Sequence, residues 1–291
     1  MIGISLLNLI ILAVIQGVCE LLPISSSAHV IMAEKLMGLD PTTPDMTLLL
    51  VMLHTGTMLA VIVYFWGDWR DRYFSSTSAL LSFAKPLAVA SVITGVVGFA
   101  LMLLIERVVL RGSAHAEIEQ LFGNVYIVAG GLAAVGMMII LSARREIGSD
   151  GHTGVGINEA AWIGAVQGLC LPFRGFSRSG STISTGLFLG LSKERAEDFS
   201  FALAVVLTPA VIAKEAYRLL HAHEESVRYA GNLFGLAWPS LAGLIVAFVA
   251  GLAALRWLSR WLENGRWHLF GYYCLFAAVT VLATALFPPW G

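Results

Sequence analysis

Residues 16–29, Gln-Gly-Val-Cys-Glu-Leu-Leu-Pro-Ile-Ser-Ser-Ser-Ala-His, follow a charge-free apolar start and then set a carboxylate, a proline, three serines and a histidine within ten positions. In a soluble chain this would be a helix end and a turn. Composition removes that option. Hydrophobic residues make up 57% of the chain and charged ones 13%, against roughly 25% charged in soluble domains, and the mean hydropathy is +0.79. The polar run therefore sits in a membrane protein, where ionisable groups are expensive and mark function.

The windows 86–105, 123–143, 232–255 and 269–291 contain no Asp, Glu, Lys or Arg. Each approaches or exceeds the roughly 20 residues that cross a bilayer as a helix. A fifth window, 47–66, is interrupted only by His54, and a sixth begins at 199–213 and continues through Lys214, Glu215 and Arg218. No Lys or Arg precedes the apolar start, so no cleavable signal peptide is expected. Cys19, Cys170 and Cys274 lie in apolar segments without metal-ligand spacing. A net charge of −1 argues against nucleic acid as a partner.

The chain repeats itself. AVIQGVC at 13–19 returns as AVQGLC at 165–170, placing Gln16 on Gln167, Cys19 on Cys170 and Ser26 on Ser177. Further on, Asp45 meets Asp198, Thr55 meets Thr208 and Pro86 meets Pro239. Each half opens with a broken, polar-tipped segment, about 5–38 and 157–195, whose helices are too short to cross and are expected to enter and return on one side. Three spans per half would then invert the halves relative to each other, as in many transporters. The expectation is an all-α integral membrane protein, one domain over 1–291, with six transmembrane helices and two re-entrant helix-loop-helix segments. Its inverted repeat has halves 1–143 and 157–288. Arg70, Arg72, Lys85, Arg144, Arg145, Lys193, Arg195, Arg256, Arg260 and Arg266 fall on one side. Lys35, Arg107, Arg111, Lys214, Arg218 and Arg228 fall on the other. The excess puts the first side in the cytoplasm and both termini outside.

Within the first break, Gln16 and Glu20 are four apart and share a helix face. Pro23 ends the first half-helix at Leu22, and Ser25, Ser26 and Ser27 are caps for the next, with His29 in its first turn. The second break, 174–182 (RGFSRSGST), loosens the backbone with Gly175 and Gly180 and adds Ser177, Ser179 and Arg178. Two half-helix N-termini meeting in the membrane make an anion site. Arg178 brings a planar fork for phosphate oxygens, Glu20 can hold a divalent cation, and His29 can move a proton near neutral pH. A serine can attack phosphorus or position a water. The plainer alternative makes Arg178 a structural partner of Glu20. His54 and the Thr208–Pro209 kink read as packing features.

These residues resemble the undecaprenyl-diphosphate phosphatases linked to bacitracin resistance. Gln16, Glu20, Pro23, Ser25, Ser26, Ser27 and His29 match the family's first signature, Glu/Gln-x-x-x-Glu followed by Pro-x-Ser-Ser-(Ser/Thr)-x-His. Gly175, Ser177, Arg178, Ser179 and Thr182 match its second, Pro-Gly-x-Ser-Arg-Ser-x-x-Thr, whose leading proline is Arg174 here. The resemblance implies a bacterial inner-membrane enzyme that removes the terminal phosphate of a C55 polyprenyl diphosphate at the periplasmic face, using Mg²⁺ or Ca²⁺. On that basis Glu20, assisted by Gln16, is expected to hold the metal. Ser27 is the first choice of nucleophile with His29 as base, while His29 itself or water remain alternatives. Arg178 and the backbone of both breaks bind the diphosphate, with Ser25, Ser26, Arg174, Gly175, Ser177, Ser179 and Thr182 lining the site. Expected partners are the polyprenyl diphosphate and membrane lipids, with a homodimer as an open option. The rival reading is a transporter or lipid flippase for an anionic substrate, which would not require the Glu20–Ser27–His29–Arg178 set.

Overall fold

A computed structural model describes residues 5–40, 43–109, 124–145, 154–221 and 233–286. The expected loops 110–123 and 222–232, with Arg111 and Arg228, and the end of the last expected span after 286 lie outside the described residues. Among the described residues ten α-helices follow in chain order: α1 Leu6–Leu21, α2 Ser26–Leu36, α3 Pro44–Tyr73, α4 Thr77–Leu104, α5 Val125–Ala143, α6 Ile157–Cys170, α7 Arg178–Phe188, α8 Lys193–His221, α9 Leu233–Glu263 and α10 Trp267–Leu286. A π-helical turn, Ile105–Val109, closes α4.

Five helices are long and apolar enough to cross a membrane among the described residues: Met46–Tyr73, Thr77–Arg107, Val125–Ala143, Trp238–Glu263 and Trp267–Thr284. The sixth expected span corresponds to α8, which has 29 residues. Its uncharged stretch is 199–213. Three helices run through a proline, Pro86 in α4, Pro209 in α8 and Pro239 in α9. The expected spans beginning at 86 and 232 accordingly start earlier or continue further than charge alone indicated, α4 from Thr77 and α9 to Glu263.

Small residues let the helices approach. A Cβ on Gly17 of α1 would lie 2.7 Å from the Ala247 carbonyl oxygen of α9, and one on Gly164 of α6 would lie 2.4 Å from that of Ala90 in α4. Such contacts suit association in lipid, where close packing and interhelical hydrogen bonds replace the hydrophobic effect. Thr94 Oγ1 adds a 2.9 Å bond to the Gly164 carbonyl. Thus α1 packs on α9, α6 on α4, α3 on α9 and α5 on α10. The main core gathers Phe199, Phe201, Leu258, Trp267 and Phe270, while Val92, Val96, Phe99, Ile245, Val249, Phe276 and Val279 face outward. Near the start of α8, Asp198 accepts from Trp69 Nε1 and the Tyr73 hydroxyl, with Arg72 and Arg195 each 3.6 Å away. This fastens α3 to α8.

Candidate active site

α1 ends at Leu21 because Leu22 is extended, φ −66° and ψ 146°, ahead of Pro23. The chain turns back through Ser25, whose φ of +68° is the one positive value of a non-glycine among the described residues. Strain of this kind is kept at sites that the surroundings over-determine. Ser25 occupies the N-cap position of α2 without making a side-chain cap bond, so the first N–H groups of α2 have no side-chain acceptor at the cap. In the second break Ser177 caps α7, its Oγ accepting from the Gly180 N–H at 3.3 Å. Gly175 has φ +93°, and a Cβ there would lie 2.1 Å from the Val128 carbonyl oxygen of α5. Only glycine fits that close approach. The two breaks touch directly, Ser179 Oγ donating to the Leu22 carbonyl at 3.3 Å.

Glu20 is the hub. Its Oε1 accepts from Arg178 Nη2 at 2.9 Å, and its Oε2 accepts from Ser26 Oγ at 2.6 Å and Gln16 Nε2 at 3.1 Å. His54 Nε2 approaches Oε2 at 3.9 Å. A second guanidinium nitrogen, Arg178 Nη1, is buried with no hydrogen-bond partner. Because a buried polar atom is normally paired, this nitrogen is available to an anion. Glu20, His54, Thr57, Met58, Val61, Arg178, Val205 and Thr208 line one small pocket between α1, α3, α7 and α8.

The structure sorts the residues singled out from the sequence. Gln16, Glu20, Ser26 and Arg178 converge. Ser27 does not bond His29, since its hydroxyl meets Ser25 Oγ at 3.2 Å. His29 is held instead by the Ser25 carbonyl at Nδ1, 2.8 Å, and by the Tyr273 hydroxyl at Nε2, 2.7 Å. Ser177 and Ser179 are buried 3.4 Å apart, and Thr182 bonds the Arg178 carbonyl at 2.8 Å and Ser200 Oγ at 2.6 Å. These three shape the backbone that presents Arg178. Arg174 acts electrostatically on Glu34 of α2.

His54 and Thr208, packing features on the sequence alone, both line the pocket. His54 Nδ1 bonds the Leu50 carbonyl at 2.8 Å, which aims Nε2 at Glu20. Its signal in the sequence was its place as the sole break in an otherwise uncharged apolar window. Tyr273 and Ser200 carried no comparable signal.

A family model described as "Bacitracin resistance protein BacA" matches residues 9–280. The chain is 57% identical over 282 residues to "Undecaprenyl-diphosphatase 2" of Acinetobacter baylyi, covering 97% of this chain and 98% of that protein. It is 33% identical over 269 residues to "Undecaprenyl-diphosphatase" of Desulfosudis oleivorans, covering 91% and 93%. It is also 33% identical over 298 residues to "Undecaprenyl-diphosphatase 2" of Burkholderia orbicola, covering 98% and 99%.

Proposed function

Because the chain belongs to the bacitracin resistance protein BacA family, we propose that it hydrolyses undecaprenyl diphosphate to undecaprenyl phosphate and inorganic phosphate. It thereby recycles the carrier lipid of peptidoglycan synthesis and confers bacitracin resistance. The observation that carries this reading is Arg178, with one guanidinium nitrogen on Glu20 and another buried and unpaired. That nitrogen and the N–H groups opening α2 and α7 would hold the terminal phosphoryl oxygens and stabilise the charge that develops on them. The lipid tail would lie along the apolar side of the pocket.

Ser26 is the nucleophile in this scheme. Its hydroxyl is already bonded to a carboxylate at 2.6 Å, the arrangement that activates a weak nucleophile, whereas Ser27 has only a neutral hydroxyl for company. Ser26 Oγ forms a bond to the terminal phosphorus while the bond to the bridging oxygen breaks. Undecaprenyl phosphate leaves, and the serine proton passes to Glu20. Water then attacks the same phosphorus with its proton taken by His29, which lies one turn along α2 on the face of Ser26. The Oγ–P bond breaks, inorganic phosphate departs, Glu20 returns the proton to Ser26, and His29 gives its own proton up to solvent.

A divalent cation, Mg²⁺ or Ca²⁺, belongs to the proposal. Among the described residues no three His, Cys, Asp or Glu side chains converge to hold a metal. Glu20 and Gln16 nevertheless offer hard oxygen donors beside the phosphate site. One carboxylate completed by water and substrate phosphates is how Mg²⁺ is usually bound, so the donor set fits. When bound, the ion would neutralise charge on the diphosphate.

The finer topology is also proposed: α1–α2 and α6–α7 as re-entrant pairs, α8 as the sixth span, and halves 1–143 and 157–288 inverted about one another in the inner membrane. The reciprocal packing of α1 on α9 and α6 on α4 supports duplication, since the repeat makes these pairs equivalent. The excess of basic residues on the opposite side supports termini and a site that face the periplasm. A single cysteine in 107–122 should then react with an impermeant thiol reagent in intact cells, and one in 146–152 should not. The reverse pattern inverts the orientation.

Phosphate release by the purified protein from a polyprenyl diphosphate, with and without divalent cation, tests the activity. A protein that binds the lipid but releases no phosphate under any cation would refute it and favour transport.

A further inference from the structure

The ring of His29 is fixed from two sides. Nδ1 lies 2.8 Å from the Ser25 carbonyl oxygen, which can only accept, so Nδ1 carries a hydrogen. In the neutral ring Nε2 is then the bare nitrogen, and the Tyr273 hydroxyl 2.7 Å away donates to it. The rings also stack, with centroids 5.7 Å apart and planes 15° from parallel. Tyr273 belongs to α10, outside both polar breaks, and the preceding scheme gives it no part.

We propose that Tyr273 is a positioning residue for the hydrolytic step: its hydroxyl holds the His29 imidazole with Nε2 as the basic nitrogen. The inference rests on the reading of the protein as a diphosphatase. A phenol suits the task because a hydroxyl both donates and accepts. It donates to bare Nε2 in the resting site, gives way there to the attacking water, and its oxygen can then accept from the new N–H of protonated His29 once phosphate has left. Phenylalanine would keep the stack and lose both bonds. Tyr273 is 41% exposed, so removing its hydroxyl leaves no hole in the core.

The test compares kcat and KM of the purified full chain with those of Tyr273→Phe, His29→Gln and the double variant, on a polyprenyl diphosphate. Tyr273→Phe should lower kcat by roughly 10- to 100-fold, at most the lower end of what a positioned acid–base group contributes, and leave KM within about twofold. In the His29→Gln background it should add little, because the two residues act as a unit. Nitrogen-15 spectra of histidine-labelled wild type, with His29 assigned by its loss in His29→Gln, should show the Nδ1–H tautomer. Equal kcat in Tyr273→Phe and wild type, an equal further loss in the His29→Gln background, or a hydrogen on Nε2 of neutral wild-type His29 overturns the proposal. A wild type that releases no phosphate while keeping that tautomer counts against the reaction, not against the pairing.

Discussion

Glu20 and Arg178 stand 158 positions apart and meet at 2.9 Å, Nη2 to Oε1. Each polar break supplies half of a charge pair, so neither is a site alone. The sequence offered two readings of Arg178, a partner of Glu20 or a ligand of phosphate, and the guanidinium accommodates both. One nitrogen satisfies the carboxylate and another is left for an anion.

Glu20→Gln therefore removes a base, a cation ligand and the counter-charge of Arg178 together. Phosphate release should fall at least 100-fold, about 3 kcal/mol, and any remnant should require far more cation. Gln16→Ala should be milder, within about tenfold, since a neutral amide contributes less to cation binding than a carboxylate. Unchanged turnover of Glu20→Gln at ordinary Mg²⁺ would remove Glu20 from the site.

The serines separate by their partners. Ser26→Ala should cost at least 100-fold in kcat, about 3 kcal/mol, because it deletes the hydroxyl bonded to Glu20. Ser27→Ala should stay within about tenfold, since it deletes only a bond to Ser25 Oγ. Steady-state rates of the two variants decide between them. The opposite ranking would return the nucleophile to Ser27.

That distinction lay beyond the sequence for a physical reason. Adjacent residues on a helix point about 100° apart, so choosing between Ser26 and Ser27 needs the helix phase. The phase is set where Ser25 takes φ +68°, and three consecutive serines carry no hint of it. Glu20, Arg178 and the breaks were legible because charges and prolines inside apolar sequence are costly enough to stand out. Tyr273 was not, because a tyrosine in an apolar helix is ordinary and its partner is 244 positions away. His54 stands out in the sequence, but its neighbour does not. Its Nδ1 bond to Leu50 looks like packing until Glu20 is found 3.9 Å from its other nitrogen.

The backbone at the breaks makes its own prediction. Gly175→Ala places a methyl 2.1 Å from the Val128 carbonyl at φ +93°, and should destabilise by roughly 2–4 kcal/mol. Ser25→Gly relieves a strained φ and should be neutral or stabilising by about 1 kcal/mol. Thermal unfolding in detergent reads both. A Gly175→Ala protein as stable as wild type would mean that the break can relax away from α5.

The last prediction separates the two arginines of the second break. Arg178 sits at the first position of α7 and bonds Glu20. Arg174 lies before the helix, and its charge acts on Glu34, buried in α2. From Ser26 to Glu34 is eight residues at 1.5 Å each, about 12 Å along the helix axis, so the two arginines address opposite ends of α2. Arg178→Ala should cost at least 100-fold in rate, about 3 kcal/mol. Arg178→Lys should recover only part, because an ammonium keeps the charge but cannot reach Glu20 and a phosphate oxygen with two fixed nitrogens. Arg174→Pro, which restores the residue of the family signature, should remain within about tenfold of wild type. The measurement is phosphate release by folded protein, monitored beside thermal stability. If Arg174→Pro proves as damaging as Arg178→Ala in a protein that remains folded, the site uses both guanidinium groups and this division is wrong.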